Sequence, residues 1–222
     1  MSTDAQSHEQ VFAGLLRRIR LVALIHSAEN AGLAPLSVRR LHAFAYLSNA
    51  LAPVWDMRAL DGKLLKRRGG AFYPSLQRDL DRLVGMGVVT ISGLAYVLDE
   101  EERWRLEGSY RLNRDFANPL LKYLARFDQE RLLLSFLQEL AIALSALSDE
   151  EMEAAVVGDA NYSDPRLDFG DVVDFAEWQQ RNYSAVAATE FESLLPAGDR
   201  ATRGEELHLY VRHLQTRLHG GR

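Results

Sequence analysis

The sequence contains no cysteine among its 222 residues. This absence excludes disulfide bonds, thiolate metal sites and cysteine nucleophiles, and it agrees with a reducing cytosol. The sequence also contains no uninterrupted apolar run of about 18 residues, the length that a membrane helix needs. Its first ten residues show neither the basic nor the apolar region of a secretory signal. We therefore expect a cytoplasmic protein without membrane contact.

Neither sign of charge dominates the chain. Its 26 lysines and arginines are outnumbered by 31 aspartates and glutamates, which gives a formal net charge of -5. A general polyanion-binding protein is usually basic, so any contact with nucleic acid must come from a local patch. Hydrophobic residues make up 47% of the sequence and charged residues 26%, which is typical of a globular protein.

The common catalytic and cofactor-binding motifs are also missing. The sequence has no GxxxxGK[ST] phosphate loop, no GxGxxG after a strand and no GxSxG elbow, and its six histidines form no HExxH pair. The aspartate-rich residues 159–175 do not follow the ligand spacing of a calcium loop, and turns or helix caps account for aspartates as well. We expect a protein that is not an enzyme and that holds no cofactor or metal.

Hydrophobic periodicity predicts three helices in the first half of the chain. Apolar residues at three-four spacing predict a helix over residues 8–30. Ser37 is suited to cap a second helix. Residues 53–70 are predicted to form a loop or a short irregular element. Pro74 then occupies a position typical of the first turn of a helix, so a third helix is predicted to run to about Met86.

A change of period follows the third helix. Residues 88–91 predict a strand, residues 92–93 a turn and residues 94–98 the returning strand, and Trp104–Leu112 predicts a further strand. Three helices followed by a hairpin is the order of a winged helix-turn-helix unit. We therefore predict such a domain over residues 1–114.

The second half, residues 115–222, is predicted to be a helical assembly domain. Residues 129–147 are apolar on almost every side, so this helix is expected in a core or an oligomer interface. Ser148, followed by three acidic residues, predicts the capped start of another helix. The remaining predicted elements are a structured loop at 159–175 with a short strand near Val172, and helices at about 175–195 and 203–218. The fold class is thus mainly α with a small β-hairpin wing.

A cationic surface region is predicted around the third helix. Arg78 and Arg82 lie one turn apart, opposite the apolar face of that helix, and further cations precede it in the chain. Such a region can contact phosphates on both sides of a groove. The candidate residues for contact with nucleic acid or a partner are Lys63, Lys66, Arg67, Arg68, Arg78 and Arg82.

Acidic residues near this region keep other interpretations open. Asp79 and Asp81 flank the two arginines on the same helix, and their charge opposes the approach of phosphate. An acidic run at Asp99–Glu102 lies within the hairpin, where a DNA-binding wing usually carries Lys or Arg. DNA contact, protein contact and an ordinary solvated face therefore remain alternatives.

Two stretches of sequence resemble a known group of proteins. LHAFAYLSNAL and LLKRRGGAFYPSLQRDLDRLVGMGVV resemble the pattern of small winged-helix accessory proteins of bacterial SMC-like ATPase systems. In that pattern a helix with a YL pair is followed by a glycine-aromatic step, a helix and an exit into the wing. The chain is similar in particular to the middle components of ABC three-component defence systems, which include the Lamassu type. DANYSDPRLDFGDVVDF, NYSAVAATEF and ELHLYVRHL add to this similarity, and the glycine-aromatic step also resembles the Panacea antitoxin domain.

The resemblance implies a non-enzymatic subunit in anti-phage or anti-plasmid defence. Such a subunit binds an SMC-like ATPase, helps to tether or regulate an effector such as a nuclease, and uses its winged helix to contact protein or double-stranded DNA. The alternative is a free DNA-binding transcriptional regulator or antitoxin, which requires a homodimer and a continuous basic surface along the third helix and the wing.

Overall fold

The computed structural model of the chain describes residues 2–59, 63–67, 70–98, 104–174, 182–191 and 200–220. Within these residues the protein is mainly helical with two small antiparallel sheets, which confirms the predicted mainly-α class. The helices are α1 (Ser2–Asn30), α2 (Val38–Leu51), α3 (Pro74–Gly85), α4 (Arg114–Leu124), α5 (Asp128–Leu144), α6 (Asp149–Gly158), α7 (Tyr183–Glu190) and α8 (Arg203–Gly220), with a short 3-10 helix at Ala52–Trp55. The strands are β1 (Leu36–Ser37), β2 (Lys63–Arg67), β3 (Gly70–Phe72), β4 (Val89–Leu98), β5 (Trp104–Leu112) and β6 (Val172–Asp174).

Three helix starts follow from local sequence. The Ser37 hydroxyl accepts a hydrogen bond from the Arg40 N–H at 3.1 Å and caps α2. The Ser148 hydroxyl accepts from the Glu151 N–H at 3.2 Å, while the Glu151 carboxylate accepts from the Ser148 N–H at 2.8 Å. This capping box begins α6. Pro74 is the first residue of α3, where a missing N–H costs nothing. The three predicted starts are confirmed.

The first sheet has the strand order β1-β5-β4. The predicted pairing of residues 88–91 with residues 94–98 is wrong, because both segments belong to β4, whose hairpin partner is the further predicted strand, β5. β4 and β5 pair antiparallel, from Val89 opposite Leu112 to Leu98 opposite Trp104. β1, which lies between α1 and α2 in the chain, pairs antiparallel with β5. The sheet therefore connects the end of α1 to the hairpin that follows α3.

The predicted turn at residues 92–93 is wrong, because β4 continues through it. The register of β4 against β5 shifts between Ser92 and Ala95, and Gly93 has a φ of 64°. A left-handed glycine at a register shift forms a β-bulge, which bends the strand without ending it. The connection at residues 99–103 lies outside the described residues, and so does the predicted acidic run Asp99–Glu102.

The second sheet has the order β3-β2-β6. It corrects the loop or short irregular element predicted over residues 53–70, because Lys63–Arg67 is a strand and β3 begins at Gly70. β2 pairs antiparallel with both of its neighbours. Leu64 of β2 stands opposite Val173 of β6, and both side chains are buried. β6 confirms the predicted short strand near Val172. This sheet ties the segment between α2 and α3 to the segment between α6 and α7.

One hydrophobic core extends across both halves of the chain. α5 packs against α1, α2 and α8. The burial expected for residues 129–147 is found on its core side, whereas Leu132 and Ile142 are exposed. The core contains side chains from both sides of residue 114, and the domain boundary placed there stays a prediction. No single described helix is long and apolar enough to cross a membrane; α5 and α6 together meet that length and composition but are bent by 110° at their junction.

The remaining helices differ in how well the sequence predicts them. α8 confirms the helix expected at 203–218. α7 occupies part of the helix expected at 175–195. Of that range the structure describes residues 182–191 alone. The sequence pattern does not predict α4, whose start is capped by the Asn113 side chain accepting from the Asp115 N–H at 3.3 Å.

Candidate nucleic-acid and partner interface

α3 presents Arg78 and Arg82 to solvent. Leu80 and Leu83 on the other face of this helix are buried in the core. Because residues four apart lie on one side of a helix, the two arginines are neighbours on the exposed face. Their predicted surface position is confirmed, and their contact with DNA or a partner stays a prediction.

The cations that precede α3 do not all lie at the surface. Lys63, at the start of β2, is exposed, whereas Lys66 is only 6% exposed. The Lys66 ammonium donates to the Leu167 carbonyl oxygen at 2.8 Å. It also lies 5.5 Å from the ring centroids of Tyr162 and Phe169. The predicted surface position of Lys66 is therefore wrong, because its charge holds the loop after α6 against β2.

Arg67 and Arg68 have different outcomes. The Arg67 guanidinium carbon lies 3.7 Å from the centroid of the Phe72 ring, so its charge stacks on an aromatic face of the neighbouring strand. Arg68 lies outside the described residues. The six predicted contact residues thus do not form one continuous surface region within the described chain.

Asp79 joins α3 to α1 and is not the exposed acidic flank that the sequence predicts. Its side chain is only 2% exposed, and one carboxylate oxygen accepts from the Arg17 Nε at 2.8 Å. The other oxygen lies 3.5 Å from Arg18 Nη1 and 3.8 Å from Arg82 Nη1. The negative charge of Asp79 is therefore directed at arginines, whereas Asp81 is exposed as predicted.

The sequence pattern does not single out Arg17 and Arg18 as interface candidates. They belong to the run LLRRIR in α1, more than 60 residues before Asp79. Only the packing of α1 against α3 brings them together. The signal available in the sequence is the pair of adjacent arginines itself, and an adjacent pair does not reveal which helix it faces.

A cleft of about 430 Å³ lies between α2, α3, β3, β5 and α6, with His42 in its wall. The Tyr73 N–H donates to His42 Nδ1 at 3.1 Å, so the ring proton is on Nε2, which donates to the Gln77 side-chain oxygen at 3.3 Å. Burial lowers the pKa of His42 to about 4; the bond to Gln77 opposes this shift and the nearby charge of Arg67 adds to it. The ring is therefore neutral at pH 7.

Both signs of charge line this cleft. Arg39 pairs with Glu107 at 3.2 Å and with Glu153 at 3.6 Å. Partial burial raises the pKa of Glu153. The described lining contains two arginines, Arg39 and Arg67, and three carboxylates, Asp81, Glu107 and Glu153. Because the carboxylates outnumber the arginines, the cleft does not favour a polyanion.

The aspartate-rich segment begins with a fully buried residue, Asp159. Its carboxyl group accepts hydrogen bonds from the hydroxyls of Tyr46, of Ser184 at 2.8 Å and of Tyr210 at 2.6 Å. The Asn161 N–H also donates to it, at 3.0 Å. Side chains from α2, α7 and α8 therefore meet at the end of α6. We call this group the Asp159 network.

Asn161 and Asn182 extend the Asp159 network. The Asn161 amide donates to the Asn182 side-chain oxygen at 2.8 Å and to the Ser184 hydroxyl at 2.7 Å. Asn182 in turn donates to the Ala50 carbonyl oxygen at 2.7 Å. Along the described ranges no group of three or more His, Asp or Glu side chains is arranged to hold a metal ion. The hydrogen bonds of Asp159 and Asn161 make the aspartate-rich segment a structured loop that ends in β6, as predicted.

The outer part of the hairpin carries an exposed apolar stripe. Leu94, Tyr96, Leu98 and Trp104 are 54%, 73%, 49% and 69% exposed. Alternate residues of a strand share a face, and directly opposite residues of paired strands share it too. Trp104 stands opposite Leu98 and continues the face that carries the buried Tyr110 nearer the base of the hairpin. The core face of the hairpin therefore extends past the core into solvent.

Comparisons with known proteins do not define a family for this chain. No family model matches it, and no solved structure matches it. A segment of 94 residues is 36% identical to a 2,3-bisphosphoglycerate-independent phosphoglycerate mutase from Cyanothece sp. (strain PCC 7425 / ATCC 29141). The match covers 40% of this chain and 18% of that protein, so the chain spans less than a fifth of its length.

Asp159→Asn is expected to lower the free energy of unfolding by about 2 kcal/mol. The substitution replaces one accepting oxygen with an NH2 donor, which then faces a hydroxyl or amide donor, so buried polar groups are left unsatisfied. Urea unfolding followed by far-UV circular dichroism measures the effect. Asp168→Asn, at an exposed position of the same segment, is the matched control and should stay within about 0.5 kcal/mol of wild type. Equal stability of the two variants would contradict the structural role of Asp159.

The pKa of His42 predicts a dependence of stability on pH. Its folded pKa of about 4 lies below the unfolded value of about 6.5, so its contribution is complete above pH 6.5 and is lost as the pH falls toward 4. The difference amounts to roughly 3 kcal/mol. His26, whose pKa burial also lowers, adds a slope of the same sign.

Urea unfolding across that pH range should show a flatter profile for His42→Gln than for wild type. His213→Gln, which removes a histidine at an exposed position of α8, is the matched control. A wild-type slope in His42→Gln would show that the buried ring is not the titrating group.

Proposed function

We propose that this chain is a cytoplasmic, non-enzymatic accessory subunit of an SMC-like ATPase complex in bacterial anti-phage or anti-plasmid defence, where it bridges the ATPase and an effector nuclease. The observation that carries the proposal is the exposed apolar stripe of the hairpin. A contiguous apolar surface with two aromatic side chains suits a protein partner. The kind of partner comes from the resemblance of the sequence to accessory proteins of such complexes.

The order of the elements supports a winged-helix interpretation of the first half. α1, β1, α2, α3, β4 and β5 follow one another, and the sheet order is β1-β5-β4. β2 and β3 are an insertion between α2 and α3 in this interpretation. The hairpin is then the wing, and its outer part is the portion that reaches beyond the core.

The chemistry of the stripe supports docking through the wing. Tyr96 and Trp104 are large, have few rotatable bonds and are more than two-thirds exposed, so a partner gains much apolar area at a small entropic cost. The aromatic residues at the centre of a protein interface commonly carry most of its binding free energy.

The combined substitution Tyr96→Ser and Trp104→Ser is expected to remove the partner. When the tagged chain is recovered from its native host, wild type should bring an SMC-like ATPase with it. The amount of ATPase recovered with the variant should be lower by about tenfold or more, the loss expected when two central aromatic contacts are removed. Quantitative mass spectrometry of the recovered complexes measures the ratio.

Val186→Ser is the matched control, because Val186 is an exposed apolar residue on α7, away from the hairpin. It should retain wild-type amounts of ATPase. The proposal fails when wild type recovers no SMC-like ATPase. Docking through the wing fails when the double variant recovers as much ATPase as the control does.

A second candidate function is that of a winged-helix DNA-binding transcriptional regulator or antitoxin. The observation that favours it is the exposure of Arg78 and Arg82 on α3, the helix that would enter the major groove in a winged helix-turn-helix protein. A toxin gene beside the gene for this chain, in place of an ATPase gene, would favour this candidate over the first.

A further inference from the structure

Three guanidinium groups share one buried carboxylate where α1 crosses α3. Arg17 contacts one oxygen of Asp79, and Arg18 and Arg82 both approach the other. Arg78 lies one turn before Arg82 on the exposed face of α3. We call Arg17, Arg18, Arg78 and Arg82 the arginine cluster.

Among the side chains that the structure describes, the arginine cluster carries more positive charge than Asp79 and Asp81 offset. Its four arginines are accompanied by the buried Asp79 and by Asp81 on the exposed side of α3. On a chain with a net charge of -5, this is a local excess of positive charge. Asp79 holds like charges close together without neutralising all of them, so an added anion relieves their mutual repulsion.

The positions of the arginines suit a repeating anion. Arg78 and Arg82 are separated by about 6 Å along the axis of α3, and Arg18 extends the positive surface onto a second helix. The planar guanidinium fork matches the geometry of phosphate oxygens. A DNA duplex supplies such oxygens at about one negative charge per 1.7 Å of its axis.

We propose that the arginine cluster, held in place by Asp79, binds the phosphate backbone of double-stranded DNA. The proposal rests on the DNA-binding candidate function and extends its contact surface from α3 to Arg17 and Arg18 of α1. Lys66 takes no part, because its charge is buried against the loop after α6. Docking of a protein partner on the wing uses different residues and is independent of it.

Fluorescence anisotropy of a labelled DNA duplex between about 50 and 200 mM salt tests the proposal. Wild-type affinity should fall linearly with salt on logarithmic axes. Arg18→Gln and Arg82→Gln should each weaken binding several-fold and lower the salt slope by about 0.9, the change expected for one lost phosphate contact. These two residues are chosen because the 2.8 Å contact between Arg17 and Asp79 still joins α1 to α3.

Arg212→Gln is the matched control, since Arg212 is an exposed arginine on α8 and its substitution removes the same charge from the protein. It should keep the wild-type salt slope, and thermal unfolding should show that all three variants fold. Poly-glutamate added at equal charge should displace the duplex far less well than unlabelled DNA does.

Three results would overturn the proposal, and they are distinguishable. If wild type shows no salt-dependent binding, the DNA-binding function fails as a whole. If wild type binds but Arg18→Gln and Arg82→Gln keep its slope, only the assignment to the arginine cluster fails. If poly-glutamate competes as well as DNA, the cluster recognises acidic protein and not a phosphate backbone.

Discussion

The hydrogen bonding of the buried Asp159 carboxyl determines how the second half of this protein packs on the first. Burying a carboxyl without partners costs several kcal/mol, so the carboxyl is tolerated only where donors satisfy it. Tyr46, 113 positions earlier in the chain, and Tyr210 provide two of those donors. Burial, and then the neighbouring Asp159 carboxyl, raises the pKa of both tyrosines. Both hydroxyls therefore stay protonated and keep donating at neutral pH.

The loop that begins at Asp159 also contacts β2 and so links the Asp159 network to the second sheet. The Tyr162 hydroxyl donates to the Arg67 carbonyl oxygen at 2.6 Å, and β6 pairs with β2. β3, on the other side of β2, leads directly into Tyr73 and Pro74 at the start of α3. The Asp159 network thus supports the sheet that positions α3, and Asp79 then fixes α3 against α1. The position of the exposed Arg78 and Arg82 on α3 therefore depends on contacts that begin at the buried Asp159 network.

Local chemistry makes a large part of this fold predictable. Ser37, Pro74 and Ser148 begin helices through caps or backbone geometry that their neighbours in sequence provide. The alternation of residues in β5 predicts that strand, whereas β4 is predicted as two strands separated by a turn. β2 is harder to predict, because it pairs not only with β3, which follows it in the chain, but also with β6, which is more than 100 residues distant. Pro119 argues against a helix at α4, yet the core burial of Ala117, Leu121 and Leu124 outweighs it.

The candidate interface is less predictable than the fold. A charged residue in a sequence is expected at the surface, and both Lys66 and Asp79 depart from that expectation through partners distant in sequence. Lys66 is satisfied by a carbonyl oxygen 101 positions later, and Asp79 by an arginine 62 positions earlier. The backbone at Gly93 is unpredictable for the same reason. A glycine with positive φ occurs both in turns and in bulges, and only the pairing of the strands decides between them.

A double-mutant cycle with Tyr46→Phe and Tyr210→Phe tests most directly whether the Asp159 carboxyl couples α2 to α8. Both hydroxyls donate to that one group, so the free energies of unfolding of the two single variants should not add. Urea unfolding should give a coupling free energy of about 1 kcal/mol or more between the two positions. Effects that add within about 0.3 kcal/mol would mean that the two tyrosines contribute independently, and would contradict the central role of the Asp159 network.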